Sequence, residues 1–211
     1  MWALTEPPDW AAAPTIPGRE RMSIVLADVA PRTAGRDLAL RHRYGDPAAF
    51  DEVYLRFAEM VFSLALRMSG DREEAADMTQ ETFLRVYRYL GSFRGRSSLK
   101  TWIYRITVNC CRSKLRKRSR RQLEGPLEHL EELADQRSGP EEQTLGRDLG
   151  RRLAEAICEL PVVFREAVLL RDVQGLSYGE IGDVLGVRIG TVRSRIARGR
   201  ERLRGLLEEG E

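Results

Sequence analysis

The chain has 211 residues, 42% of them hydrophobic and 32% charged, with a formal net charge of +3. That balance suits a globular protein of one domain or two small ones. No apolar run approaches the roughly 20 residues a membrane helix needs. Three cysteines, two of them adjacent, make neither a disulfide framework nor a zinc site with two histidines that lie far away in sequence. The expectation is a cytoplasmic protein with reduced structural thiols, no membrane insertion, no metal site and no cofactor.

Residues 1–35, rich in Ala and Pro, show no sustained period and read as a disordered extension, within which Met22 offers a second possible start. A first strong helix opens at Asp46-Pro47, an N-cap followed by proline, and closes at Ser69-Gly70. Its apolar positions are Phe50, Val53, Tyr54, Phe57, Val61, Leu64 and Met68. Asp71 and Glu74 form a capping box for the next helix, which runs to Leu90 and carries Asp77, Gln80, Glu81 and Arg85 on its polar side. After a loop over 92–100, a third helix from Thr101 to Arg118 turns from apolar to wholly basic. Residues 119–147, with Gly125-Pro126 and Ser138-Gly139-Pro140, read as an acidic flexible linker holding at most a transient turn near Leu127–Leu133.

Beyond the linker, Leu149, Leu153, Ala156 and Ile157 make one amphipathic helix, stopped at Leu160-Pro161, and a second follows through Phe164 and Val168. Ser177 and Glu180 then start a short helix, and Gly186 ends it. The last helix, from about Gly190, has Val192, Ile196 and Leu203 inside and is rich in arginine. Nothing reads as a strand. The fold class is all-α: two small helical domains, 36–118 and 148–211, joined by a flexible linker, the second with a helix-turn-helix.

Catalytic constellations are absent from the sequence: no phosphate-binding glycine loop, no dinucleotide fingerprint and no paired metal histidines. Catalytic residues are therefore expected to be none. The Arg-rich final helix instead suits a DNA major groove, where Arg and Ser reach base edges, while Arg195 and Arg200 suit the phosphate backbone. Phe93, Trp102 and Tyr104 lie among Arg94, Arg96, Lys100 and Arg105, with Ser97, Ser98 and Asn109 free to hydrogen-bond. Aromatics interleaved with cations serve unstacked bases, although Trp102 fits core packing equally well. One module suits duplex DNA and the other a melted strand.

On these residues the chain resembles sigma factors of the sigma-70 family, in the extracytoplasmic-function (ECF) group. Gly45-Asp46-Pro-Ala-Ala-Phe50 is similar to the start of region 2, and Asp71 to Arg85 to its polymerase-binding segment. Phe93 to Asn109 resembles the segment that melts and reads the −10 element, and Leu160-Pro161 to Arg204 resembles region 4, which reads the −35 element. The resemblance implies that Asp77, Gln80, Glu81 and Phe83 serve core RNA polymerase, although Phe83 equally fits packing within the bundle. It places Phe93, Ser97, Ser98, Trp102 and Asn109 around a flipped-base pocket. Arg193, Ser194, Ala197 and Arg198 would face −35 bases, with Thr191, Arg195 and Arg200 on the backbone. The implied partners are core polymerase (β′ clamp helices and β flap), promoter DNA and an anti-sigma factor. A free-standing regulator with an N-terminal sensor, or a sigma mimic, are the rival readings. Three positions depart from the pattern: Arg188 where proline is frequent, Gly182 where alanine is usual, and Cys110-Cys111 where polar residues usually follow the Asn. A glycine inside a helix costs about 1 kcal/mol relative to alanine.

Overall fold

The computed structural model describes residues 32–124 and 145–208. The expected extension up to residue 31, with its alternative start at Met22, and the linker over 125–144 lie outside the described residues. Among those described there are eight α-helices, one π-helical turn and no strand. In chain order these are α1 (Arg32–Arg43), α2 (Pro47–Ser69), α3 (Arg72–Leu90), α4 (Leu99–Glu124), α5 (Leu145–Glu159), α6 (Val162–Val168) continued by the π turn Leu169–Val173, α7 (Tyr178–Leu185) and α8 (Ile189–Glu208). No helix among them is long and apolar enough to cross a membrane.

Several ends form as the sequence predicts. The Asp46 side chain accepts the Ala48 N–H at 3.0 Å and caps α2. The Asp71 carboxylate accepts the Glu74 N–H at 2.7 Å and caps α3. Helix α1, however, begins inside the stretch expected to be disordered. It forms because Leu38 and Ala39 bury against the α2–α3 pair, a tertiary contact too short to register as a period. Arg41, His42 and Arg43 occupy its last turn, where cations meet the negative end of the helix dipole. The His42 ring packs edge-on against Tyr87, with centroids 4.9 Å apart.

Helix α4 starts at Leu99 rather than Thr101 because Ser98 caps it: its hydroxyl accepts the Thr101 N–H at 3.0 Å. It also runs on to Glu124, and α5 begins at Leu145, so both helices take residues expected in the linker.

Two apolar clusters hold the molecule together. One joins α1, α2, α3 and the start of α4 through Val53, Phe57, Val61, Phe83, Val86, Leu90 and Ile103. The other draws on both helical regions: Leu64, Met68, Met78, Tyr104, Val108 and Cys111 from α2–α4 meet Ala156, Ile157, Leu160, Leu169, Leu170, Ile181 and Ile196 from α5–α8. Burying a side chain of this size contributes about 1.5–3 kcal/mol. The two regions that the sequence separates by a linker thus lie against one another.

Candidate nucleic-acid and polymerase interfaces

The helix-turn-helix is built by α7 and α8. Ser177 and Glu180 close a reciprocal capping box: the Ser177 N–H donates to the Glu180 carboxylate at 2.9 Å, and the Glu180 N–H to the Ser177 hydroxyl at 3.3 Å. Gly186 takes the left-handed conformation, φ 68°, and both it and Val187 donate backbone N–H groups to the Gly182 carbonyl. A Cβ on Gly182 would sit 3.0 Å from the Val187 carbonyl oxygen, so the departure from alanine belongs to a tight turn.

Helix α8 sorts its side chains cleanly. Val192, Ile196, Gly199 and Leu203 are buried, while Thr191, Arg193, Ser194, Ala197 and Arg198 are exposed. Gly199 is required by close packing, since a Cβ there would lie 2.5 Å from the Val168 side chain. Ser194 donates its hydroxyl to the Thr191 carbonyl at 3.0 Å. The guanidinium of Arg193 lies 5.9 Å from the centre of the Tyr178 ring.

The two remaining arginines of the expected set are paired with acids of the chain itself, one half-buried and one at the surface. Arg195 is half-buried and donates to Glu166 at 3.2 Å. Arg200 pairs with Asp172 through two bonds of 3.0 and 2.5 Å, which raise its pKa above the ordinary value. Asp172 is presented by the π turn that continues α6.

Around residues 93–109, packing and exposure are mixed. Phe93 and Trp102 are half-buried, with ring centroids 5.4 Å apart. Ser98, besides capping α4, shares a 2.7 Å hydrogen bond with the Thr101 hydroxyl. Ser97 is half-buried, its hydroxyl 3.4 Å from the Ser98 carbonyl. Asn109 is exposed and, with Arg105, lines an open cleft of about 800 Å³ whose other wall is the α7–α8 turn. The cysteines that follow point inward. Burial pushes the Cys110 thiol up, a hydrogen bond with Thr82 opposing it, and burial pushes the Cys111 thiol up to about 12. Both therefore stay as thiols at neutral pH, in keeping with a structural role.

Helix α3 carries the expected polymerase residues, and they divide. Gln80 and Asp77 are exposed, with Asp77 3.1 Å from Lys114, and Glu81 pairs with Arg85 one turn on at 2.7 Å. Phe83 is buried, 4.7 Å from the Tyr54 ring centroid in an edge-to-face contact, which is the packing alternative of the sequence reading. Its neighbour Leu84 is instead 58% exposed. Leu84 lies one turn beyond Gln80, so an apolar residue in the polar stripe 77, 80, 81 was the available signal for it.

Glu166 went unremarked in the sequence, yet it is fully buried and receives Arg112 at 2.6 and 2.5 Å as well as Arg195. An acid among Phe164, Ala167 and Val168 was its signal. The adjoining Arg165 is also buried, its guanidinium donating to the backbone carbonyls of Met68, Cys158 and Leu160. Burial pushes the pKa of this group down.

Two family models cover the two helical regions: Sigma-70 region 2 matches residues 53–121, and Sigma-70 region 4 matches residues 150–203. The chain belongs to the sigma-70 family. It is 42% identical to the ECF RNA polymerase sigma factor SigE of Mycolicibacterium smegmatis over 77% of this chain and 64% of that one. It is 37% identical to the RNA polymerase sigma-H factor of Pseudomonas aeruginosa over 79% of this chain and 90% of that one. These relatives place it in the ECF group. Among solved structures, it is similar to the sigma factor RpoE of Bartonella quintana in complex with the anti-sigma factor NepR. That match has a TM-score of 0.61 at 28% identity and covers 75% of this chain and 96% of the other. CnrH in complex with the cytosolic domain of CnrY shares the fold, at a TM-score of 0.63 and 24% identity, over 84% of this chain and 99% of that one. Membership makes the protein a transcription initiation factor that directs RNA polymerase to promoters, rather than an enzyme.

Proposed function

We propose that this chain divides promoter recognition between two surfaces and docks on core polymerase through a third. Helix α8 reads the −35 duplex, with Arg193, Ser194, Ala197 and Arg198 toward the bases. Residues 93–109 melt and read the −10 element, with Asn109 and the Phe93–Trp102 pair beside the unstacked strand. The outward face of α3, made of Asp77, Gln80, Glu81 and Leu84, meets the β′ clamp helices, while region 4 meets the β flap. Phe83 supports that face from within.

The register of α8 carries this reading. Its four base-facing positions are all exposed, while the positions between them hold the helix onto the domain. Arg offers a bidentate match to guanine, and Ala197 is limited to touching a thymine methyl. An anti-sigma factor fits as a further partner, because a protein covering α3 or α8 would block these contacts. The work takes place where polymerase and DNA are, in the cytoplasm.

Run-off transcription with core polymerase on a pool of genomic fragments tests the reading directly. Discrete transcripts sharing two upstream elements are expected. Transcripts no more abundant than with core enzyme alone would overturn it.

A further inference from the structure

The stretch between α3 and α4 that presents Phe93, Ser97 and Ser98 is irregular backbone. Such backbone loses conformational entropy whenever a partner must fix its shape, so a loop held in shape beforehand binds at lower cost. Here the hold comes from α1. The Arg36 guanidinium reaches across to the loop, where Nε and Nη2 both donate to the Arg94 carbonyl, at 2.9 and 2.8 Å.

Two glycines fit this contact. Gly95 turns the chain in the left-handed region, φ 67°, where L side chains are strained. A Cβ there would also lie 2.5 Å from Arg36 Nε and 2.9 Å from its Cγ, so the Arg36 side chain is seated directly on the turn. Gly35, the buried neighbour of Arg36, brings α1 close to both ends of the loop. A Cβ on it would meet the Leu99 Cβ at 3.0 Å and the Phe93 ring at 3.3 Å. Arg36 itself is exposed, while Leu38 and Ala39 supply the buried face of α1. The forked bond thus shapes the loop rather than the core.

We infer that Arg36 is a positioning residue for the −10 segment. It fixes the Arg94–Gly95 turn in the shape that sets Phe93 beside the unstacked strand, and it acts through that turn rather than on DNA. The inference rests on the reading of residues 93–109 as the −10 segment.

Two measurements on the full chain test it. The free chain is digested with trypsin, which cuts after Arg94 and Arg96. Holoenzyme assembled with core polymerase is assayed by permanganate footprinting on a promoter recovered from the run-off experiment. Arg36→Ala should keep its helix content by circular dichroism and be cut faster at Arg94 and Arg96. Opening of the −10 region should fall about fivefold, in proportion to the molecules that still hold the competent shape. Gly95→Ala keeps the Arg36 charge but displaces it from its seat, and should reproduce both effects. The double variant should be no worse than the worse single one, because both changes act through one turn. Additive losses would mean that Arg36 meets DNA on its own account, and would overturn the positioning role. Unchanged cleavage or unchanged opening in Arg36→Ala overturns it as well. Asn109→Ala separates that failure from failure of the −10 reading. If Asn109→Ala also opens DNA normally, the reading falls; if Asn109→Ala is impaired and Arg36→Ala is not, only the role of Arg36 falls.

Discussion

The last helix and the segment 93–109 are both expected to touch promoter DNA, yet they are constructed differently. On α8 a single face is buried, and the 3.6-residue period separates Val192, Ile196, Gly199 and Leu203 from Arg193, Ser194, Ala197 and Arg198. In 93–109 the same side chains close the fold and face outward: Ser98 caps α4, and Trp102 packs on Phe93. A helix docked by one face keeps reading apart from packing. A loop-to-helix junction cannot, because few side chains serve both its sides.

The largest effect should come from the packing side of α8. Ile196→Ala removes a side chain that is 2% exposed and should cost about 2–5 kcal/mol of folding stability in urea denaturation. Its neighbour two positions on should behave in the opposite way. Arg198→Ala should leave the urea midpoint unchanged but cost about 1–3 kcal/mol of binding to the cognate −35 duplex, with a smaller loss on a scrambled one. A stability loss for Arg198→Ala would show that reading and packing are not separated on α8 after all.

In the −10 segment that separation should fail. Ser98→Ala removes the cap of α4 and should cost about 1 kcal/mol of stability, whatever it does to DNA. Ser98→Thr keeps a capping hydroxyl and should restore most of that loss. Permanganate footprinting beside urea denaturation resolves the two contributions. If Ser98→Ala melted promoter DNA poorly while unfolding at the wild-type midpoint, the contrast between the two segments would collapse.

How much of this was legible depended on whether the cause was local. The caps at Asp46 and Ser177 and the turn at Gly186 are set by neighbours within four residues and form as expected, whereas the Asp71 box is only half formed: its side chain caps α3, but its own N–H goes to the Ser69 hydroxyl at 3.3 Å instead of to Glu74. The α8 stripe was legible because its period belongs to the helix itself. Helix α1 was missed because Leu38 and Ala39 become a buried face only against α2 and α3. Phe83 and Leu84 are adjacent apolar residues, and only the packing of Phe50 and Tyr54 decides which one points inward. The shared cluster between the regions joins residues far apart in sequence, so no local pattern announced it; an acid among Phe164, Ala167 and Val168 marked Glu166 but not its partners Arg112 and Arg195.

Arg200 offers the finest test of the contrast, because it lies on the reading helix yet has an internal partner. Its pair with Asp172 is half exposed, and exposed pairs contribute about 0–1 kcal/mol, so Arg200→Ala should barely move the urea midpoint. On DNA it should act as a phosphate contact does: a similar loss on every sequence, and a salt dependence of binding shallower by about 0.9 in the log–log slope. If the loss were confined to one −35 sequence, Arg200 would be reading bases. If neither affinity nor slope changed, Asp172 would keep the guanidinium in the bound state too, and α8 would have an arginine that serves the fold alone. Either result moves Arg200 across the line between reading and packing. The expected one keeps it on the DNA side, held by Asp172 until a phosphate takes its place.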